Sequence, residues 1–158
     1  MNPTRRAVLI AATTLPLRAH DDENPPPIAR TTLIHGTASP YAVAGYQMGD
    51  YALQKLALER GSPDLEVTHH CPAADPLASS IIDGLQAATG ASLGKRNLHC
   101  QDDSKTYSTI RNRKSGQSLR FELLPAFTRR YTAVSADKLY DAGAEVADLK
   151  PHQIFGLR

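Results

Sequence analysis

An α+β fold, one domain built on a mixed sheet, is predicted by three observations. A long helical pattern of apolar residues runs between positions 41 and 60, short strand-like segments crowd positions 97 to 123, and helical spacing returns after Ser135. The first helix is expected over Tyr41 to Arg60, with Val43, Tyr46, Met48, Tyr51, Leu53, Leu56 and Leu58 inward. Pro40 would open it in the first turn and Gly61 stop it. Leu65 to His70 reads as a strand, and Ser79 to Thr89 as a second helix with Ile81, Ile82, Leu85 and Ala88 inward and Gly90 as its C-cap. Asn97 to Gln101, Thr106 to Arg113 and Gln117 to Leu123 read as strands, the last two forming a hairpin around Ser115-Gly116. Ser135 to Ala147 is expected as a C-terminal helix with Ser135 at its N-cap.

With 158 residues, 41% hydrophobic and 22% charged, the chain has room for one packed core and a short tail. A net charge of +2 falls far short of the basic stripe that a phosphate backbone requires, so no nucleic-acid partner is expected. The local basic run Arg111, Arg113, Lys114 and Arg120 reads as the solvated face of the hairpin.

At the amino terminus, Thr4-Arg5-Arg6 precedes an apolar run from Ala7 to Leu17 and a small residue, Ala19. That order is an export signal over residues 1–19, and the paired arginines point to the twin-arginine route and a periplasmic location. The alternative is a cytoplasmic chain whose apolar run is a buried first element. The run is too short to span a bilayer, so no membrane contact is expected once the signal is removed. Residues 20–30, acidic and then proline-rich, read as a linker, and 31–158 as the domain.

Two ordered blocks carry a family resemblance. The first is His35-Gly36-Thr37-Ala38-Ser39-Pro40-Tyr41 running into Gly45-Tyr46-Gln47-Met48-Gly49. The second is Ser79-Ser80-Ile81-Ile82-Asp83-Gly84-Leu85-Gln86, followed by Thr89-Gly90 and Gly94-Lys95-Arg96-Asn97. Together they resemble the FmdE-like (FmdE/FwdE domain) family associated with formylmethanofuran dehydrogenase, whose blocks look like His-Gly-His-Leu-Gly-Pro-Tyr (or a Cys-Pro-Gly variant) and Ser-Cys-x-x-Asp-Gly-Ile-Gln. The resemblance implies an α+β domain, often metal-binding, found beside a molybdenum or tungsten enzyme that oxidises formylmethanofuran and also in many bacteria without that pathway. It further implies that the His35 turn and the start of the Ser80 helix face one another. A homo-oligomer is compatible with it.

The family's metal-ligand positions hold Thr37 and Ser80 in this chain, and its alternative cysteine position holds Ser39. Neutral hydroxyls replace imidazole or thiolate poorly at zinc or iron. Other donors stand elsewhere, at His69-His70-Cys71 and His99-Cys100, so a rebuilt metal site would join some of these to His35. Adjacent strand residues face opposite ways, so at most one of His69 and His70, and one of His99 and Cys100, can reach a common centre. Cys71 and Cys100 have two further readings: a disulfide closing a loop of about 30 residues, worth around 3 kcal/mol, or two reduced thiols.

The leading expectation is a small-ligand- or metal-binding module with a pocket lined by His35, Thr37, Ser39, Ser80, Asp83, Gln86 and Lys95. One alternative is an enzyme of unassigned class with His35 as acid or base and Lys95 stabilising negative charge. Another is a structural or interaction domain that has lost the ancestral chemistry. A Ser80 nucleophile served by His69 or His70 and Asp83 is disfavoured, because glycines do not flank the serine as a hydrolase elbow needs.

Overall fold

The structure, a computed structural model, describes residues 26–158. The export signal and most of the linker expected from the sequence therefore lie outside the described residues. Helix α1 (Pro26–His35) is followed by α2 (Pro40–Lys55), strand β1 (Leu65–Cys71), α3 (Pro76–Thr89), β2 (Leu98–Asp102), β3 (Tyr107–Asn112) and β4 (Ser118–Leu123). Then come α4 (Pro125–Tyr131), a 3-10 turn (Ala136–Lys138), α5 (Leu139–Asp148), α6 (Pro151–Ile154) and β5 (Phe155–Leu157). The five strands form one mixed sheet in the order β2-β1-β3-β4-β5; β1 and β2 are parallel and the other neighbours antiparallel. The parallel pair is joined through α3, as a parallel crossover requires. No helix of the described residues is long and apolar enough to cross a membrane.

Burial along β1 alternates residue by residue, with Leu65, Val67, His69 and Cys71 inward. Ile110 and Phe121 continue that face across β3 and β4, and Tyr51 of α2 meets Phe121 and Phe155 edge to face. Leu65, Val67, Ile81, Leu85, Ile110 and Phe121 are at most 1% exposed. Side chains of that size each stabilise the fold by about 1.5–3 kcal/mol when fully buried.

Several elements depart from the sequence expectation, each for a local reason. Residues 26–30, read as linker, are the first half of α1, with Ile28 buried. Proline in a first helical turn removes only an N–H that has no intrahelical partner, so Pro26 and Pro27 are no obstacle. Helix α2 ends at Lys55 rather than Arg60. Ala57 takes a left-handed conformation (φ 49°), Leu58 N–H donates to the Leu53 carbonyl and Ala57 N–H to that of Gln54. This is a Schellman ending with alanine where glycine is usual. Ser135 caps only the 3-10 turn, without a side-chain bond, and α5 starts at Leu139. The hairpin follows expectation, with Gly116 at φ 78° and the Asn112 side chain accepting from the Lys114 and Ser115 amides.

Helix α3 begins three residues before its expected start. Its N-cap is Asp75, whose Oδ1 accepts from the Leu77 and Ala78 amides at 3.0 Å each. Asp75→Ala is expected to lower stability by about 1 kcal/mol, read as a lower urea midpoint at unchanged slope.

The contact that positions everything else is that of α2 with α3. A Cβ placed on Gly45 would stand 2.1 Å from the Ile81 carbonyl oxygen, and one on Gly84 would stand 1.8 Å from that of Ala42. The two backbones therefore touch where these glycines fall. A third such approach, of the Ala38 carbonyl to Gly143, seats the turn before α2 against α5.

Candidate functional site

The turn at Gly36–Ser39 links α1 to α2, with Gly36 at φ 86° and Pro40 in the first turn of α2. His35, the last residue of α1, and Ser39, the N-cap of α2, thus stand near the positive end of that helix. Across the α2–α3 contact, Asp83 presents its carboxylate to this turn. His35 Nδ1 lies 2.8 Å from Asp83 Oδ2, a contact between residues 48 apart in sequence. An imidazole nitrogen facing a carboxylate carries the proton, so Nδ1–H donates to Asp83 and the lone pair of the neutral ring is on Nε2. Both side chains are partly open to solvent, 23% for His35 and 36% for Asp83. Leu33 and Ile34, on the last turn of α1, are also exposed, on other sides of the helix from His35.

The other residues expected in the pocket divide. Ser39 is buried and its hydroxyl has no hydrogen-bond partner. Thr37 is half-buried in the same turn, and Gln86 is half-buried one helical turn beyond Asp83. Ser80 is buried and donates its hydroxyl to the Leu77 carbonyl at 2.7 Å, so it neither contacts Asp83 nor stands free as a nucleophile. Lys95 is displaced from the site: its ammonium donates to the Gly90 carbonyl beyond the C-terminus of α3, about two turns from Asp83.

The candidate metal ligands are dispersed. His69, fully buried, uses both ring nitrogens, with Nε2 2.9 Å from the Ala78 carbonyl and Nδ1 2.9 Å from Ser108 Oγ. Only N–H can meet a carbonyl, so Nε2 donates, Nδ1 accepts the serine proton, and the ring is neutral. Burial drives its pKa down to about 4, against the opposing pull of the Ala78 carbonyl. His69 is a tie between β1, β3 and the start of α3. His70 points to the opposite face of the sheet, stacked on Tyr107 with ring centroids 4.1 Å apart and Nδ1 3.7 Å from Asp103. The Arg120 guanidinium covers the Tyr107 ring at 3.6 Å from its centroid. His99 lies 4.0 Å from Glu66 on that same face. Among the described residues no three or more His, Cys, Asp or Glu side chains are grouped to hold a metal ion. Zinc or iron therefore finds at the His35 turn one imidazole, one carboxylate already bonded to it, and hydroxyls, a donor set that does not fit either metal.

Two open cavities lie away from this turn. One of about 560 Å³ is formed by residues 57–64 with Asn112 and Lys114, past the far end of α2, and one of about 420 Å³ lies between Tyr51, Pro151, His152, Phe155 and Leu157. Several residues of the two sequence blocks prove to be structural. Gly45 and Gly84 make the helix contact, Gly90 caps α3, and buried Asn97 donates to the Leu65 carbonyl while accepting from the Ser92 amide. His69 and Asp75 were not legible as structural residues. The spacing of Gly45, Gly49 and Gly84 inside helices was the available signal for the close helix contact.

Comparison with known proteins agrees with this frame. The "Probable S-adenosyl-L-methionine-binding protein" of Archaeoglobus fulgidus is 28% identical over 114 residues, which is 72% of this chain and 31% of that protein. The chain thus spans about a third of the length of that relative. The family described as "FmdE, Molybdenum formylmethanofuran dehydrogenase operon" matches residues 34–153, which include the His35 turn, both touching helices and the whole sheet but β5. The chain belongs to the FmdE family.

Proposed function

We propose that this chain is a small-ligand-binding module whose recognition point is the His35–Asp83 pair, with S-adenosyl-L-methionine or a molecule of that class as ligand. The observation that carries this reading is the 2.8 Å bond between the two side chains, made across 48 residues at a half-open position. A carboxylate that orders an imidazole fixes which ring nitrogen faces outward. His35 Nε2 then accepts a hydrogen bond from a ligand amine or hydroxyl, and the Asp83 charge favours a cationic group such as a sulfonium or ammonium. The choice of ligand class follows the name of the Archaeoglobus fulgidus relative.

Binding is favoured over turnover, because neither Ser80 nor Lys95 stands with His35 as a second reactive side chain. The Ser80 hydroxyl is engaged with Leu77, and Lys95 stands two turns away. Titration calorimetry of the purified chain with S-adenosyl-L-methionine tests the reading. His35→Ala and Asp83→Asn are each expected to weaken binding about ten-fold or more. Both are partly exposed, so their Tm values should stay close to that of the unaltered chain. Undiminished binding in both variants, or none in the unaltered chain, would sink the proposal.

A further inference from the structure

Along the parallel pair, His69 stands opposite Cys100 and Cys71 opposite Asp102. Residues two apart on a strand share a face, so Cys71 and Cys100 are diagonal neighbours on one face of adjacent strands. Access separates them. Cys71 is buried at the end of β1, whereas Cys100 is exposed on β2, an edge strand that pairs with β1 alone. Burial, reinforced by the neighbouring Cys100, pushes the Cys71 thiol up to about 11. Near neutral pH Cys71 is therefore a poor first nucleophile.

We propose that Cys71 and Cys100 form a thiol–disulfide exchange site for low-molecular-weight disulfides, Cys100 attacking first and Cys71 resolving. The Cys100 thiol loses its proton to water, and its thiolate attacks one sulfur of oxidised glutathione. The glutathione S–S bond breaks, one glutathione thiolate leaves, and a mixed disulfide remains on Cys100. Cys71 then loses its proton to water and attacks Cys100 Sγ; the Cys100–glutathione S–S bond breaks, the second glutathione leaves as a thiolate, and both released thiolates take up a proton from water. One oxidised glutathione is thereby reduced to two thiols, and the two cysteines lose two hydrogen atoms to form one bond. The diagonal placement requires β2 to shift before the Cβ atoms reach disulfide distance, which an edge strand held on one side permits.

The test is incubation of the reduced full chain with oxidised glutathione, followed by alkylation and mass spectrometry. The expected product is lighter than the reduced chain by two hydrogen atoms, takes up no alkylating agent, and yields a peptide pair joined at Cys71 and Cys100. Cys71→Ser should stop at one glutathione adduct on Cys100, and Cys100→Ser should gain none while folded. Because Cys71→Ser disturbs a buried position, brief alkylation of the native reduced chain supplies an independent measurement: Cys100 should react at least ten-fold faster than Cys71. Two thiols that survive the oxidised glutathione, a stable adduct on the unaltered chain, or equal alkylation rates would each overturn the proposal.

Discussion

Gly84→Ala is expected to destabilise the protein by about 3 kcal/mol or more, the high end for overpacking a close contact. The added methyl would fall 1.8 Å from the Ala42 carbonyl oxygen and 2.6 Å from the Tyr46 nitrogen. Both belong to backbone inside α2, so no rotamer change relieves the clash, and the helices must separate. Separation loosens Val43, Ile81 and Leu85, which are buried in the shared core. For a domain of this size the loss corresponds to a Tm fall of roughly 10 °C, measurable by calorimetry. Gly45→Ala should act in the same direction, since its methyl would meet the Ile81 carbonyl. Because either change moves the same two helices apart, the double variant should cost less than the sum of the singles. A Gly84→Ala protein melting within about 2 °C of the parent would show that α2 and α3 do not approach as described.

The second large effect is a dependence of stability on pH centred on His69. Its folded pKa, near 4, lies below the ordinary 6.5, because burial penalises the charged ring. Between these values the unfolded chain binds a proton that the folded one does not, so stability rises with pH across this window. The contribution is complete above about pH 6.5 and is lost as pH falls towards 4, a change of about 3 kcal/mol. Replacing His69 with Gln, which does not titrate, should remove this slope. Urea unfolding of both proteins at intervals from pH 7 to pH 4 gives the difference directly, and a difference that stays constant would refute the assignment. His69→Ala should in addition lose roughly 3 kcal/mol at pH 7, since it leaves a cavity and strips partners from Ser108 and the Ala78 carbonyl.

The elements with strong internal periodicity were legible in the sequence: α2, α3, the hairpin and the α+β order all follow from apolar spacing and turn residues. Elements set by tertiary contact were not. Helix α1 is hidden by its prolines, α4 and α6 are too short for periodicity to register, and β5 is three residues that become a strand by pairing with β4. At the site, residue type located His35 and Asp83, and the family resemblance supplied their facing placement. Lys95 was misplaced because a lysine's reach leaves its direction open; here it turns back to cap its own neighbourhood at Gly90. The pairs His69–Ser108 and Cys71–Cys100 depend on strand register, which no local pattern encodes.

The backbone contacts at Gly45, Gly84 and Gly143 also bear on how the domain can diversify. Where main chain sets the distance between helices, side chains at the rim are relieved of that task. Thr37 and Gln86, each half-buried, can be exchanged for other residues while the scaffold beneath keeps its dimensions. A domain framed in this way can change its chemistry by redecoration, and its tolerance at the rim comes at the expense of near-total intolerance at three glycines.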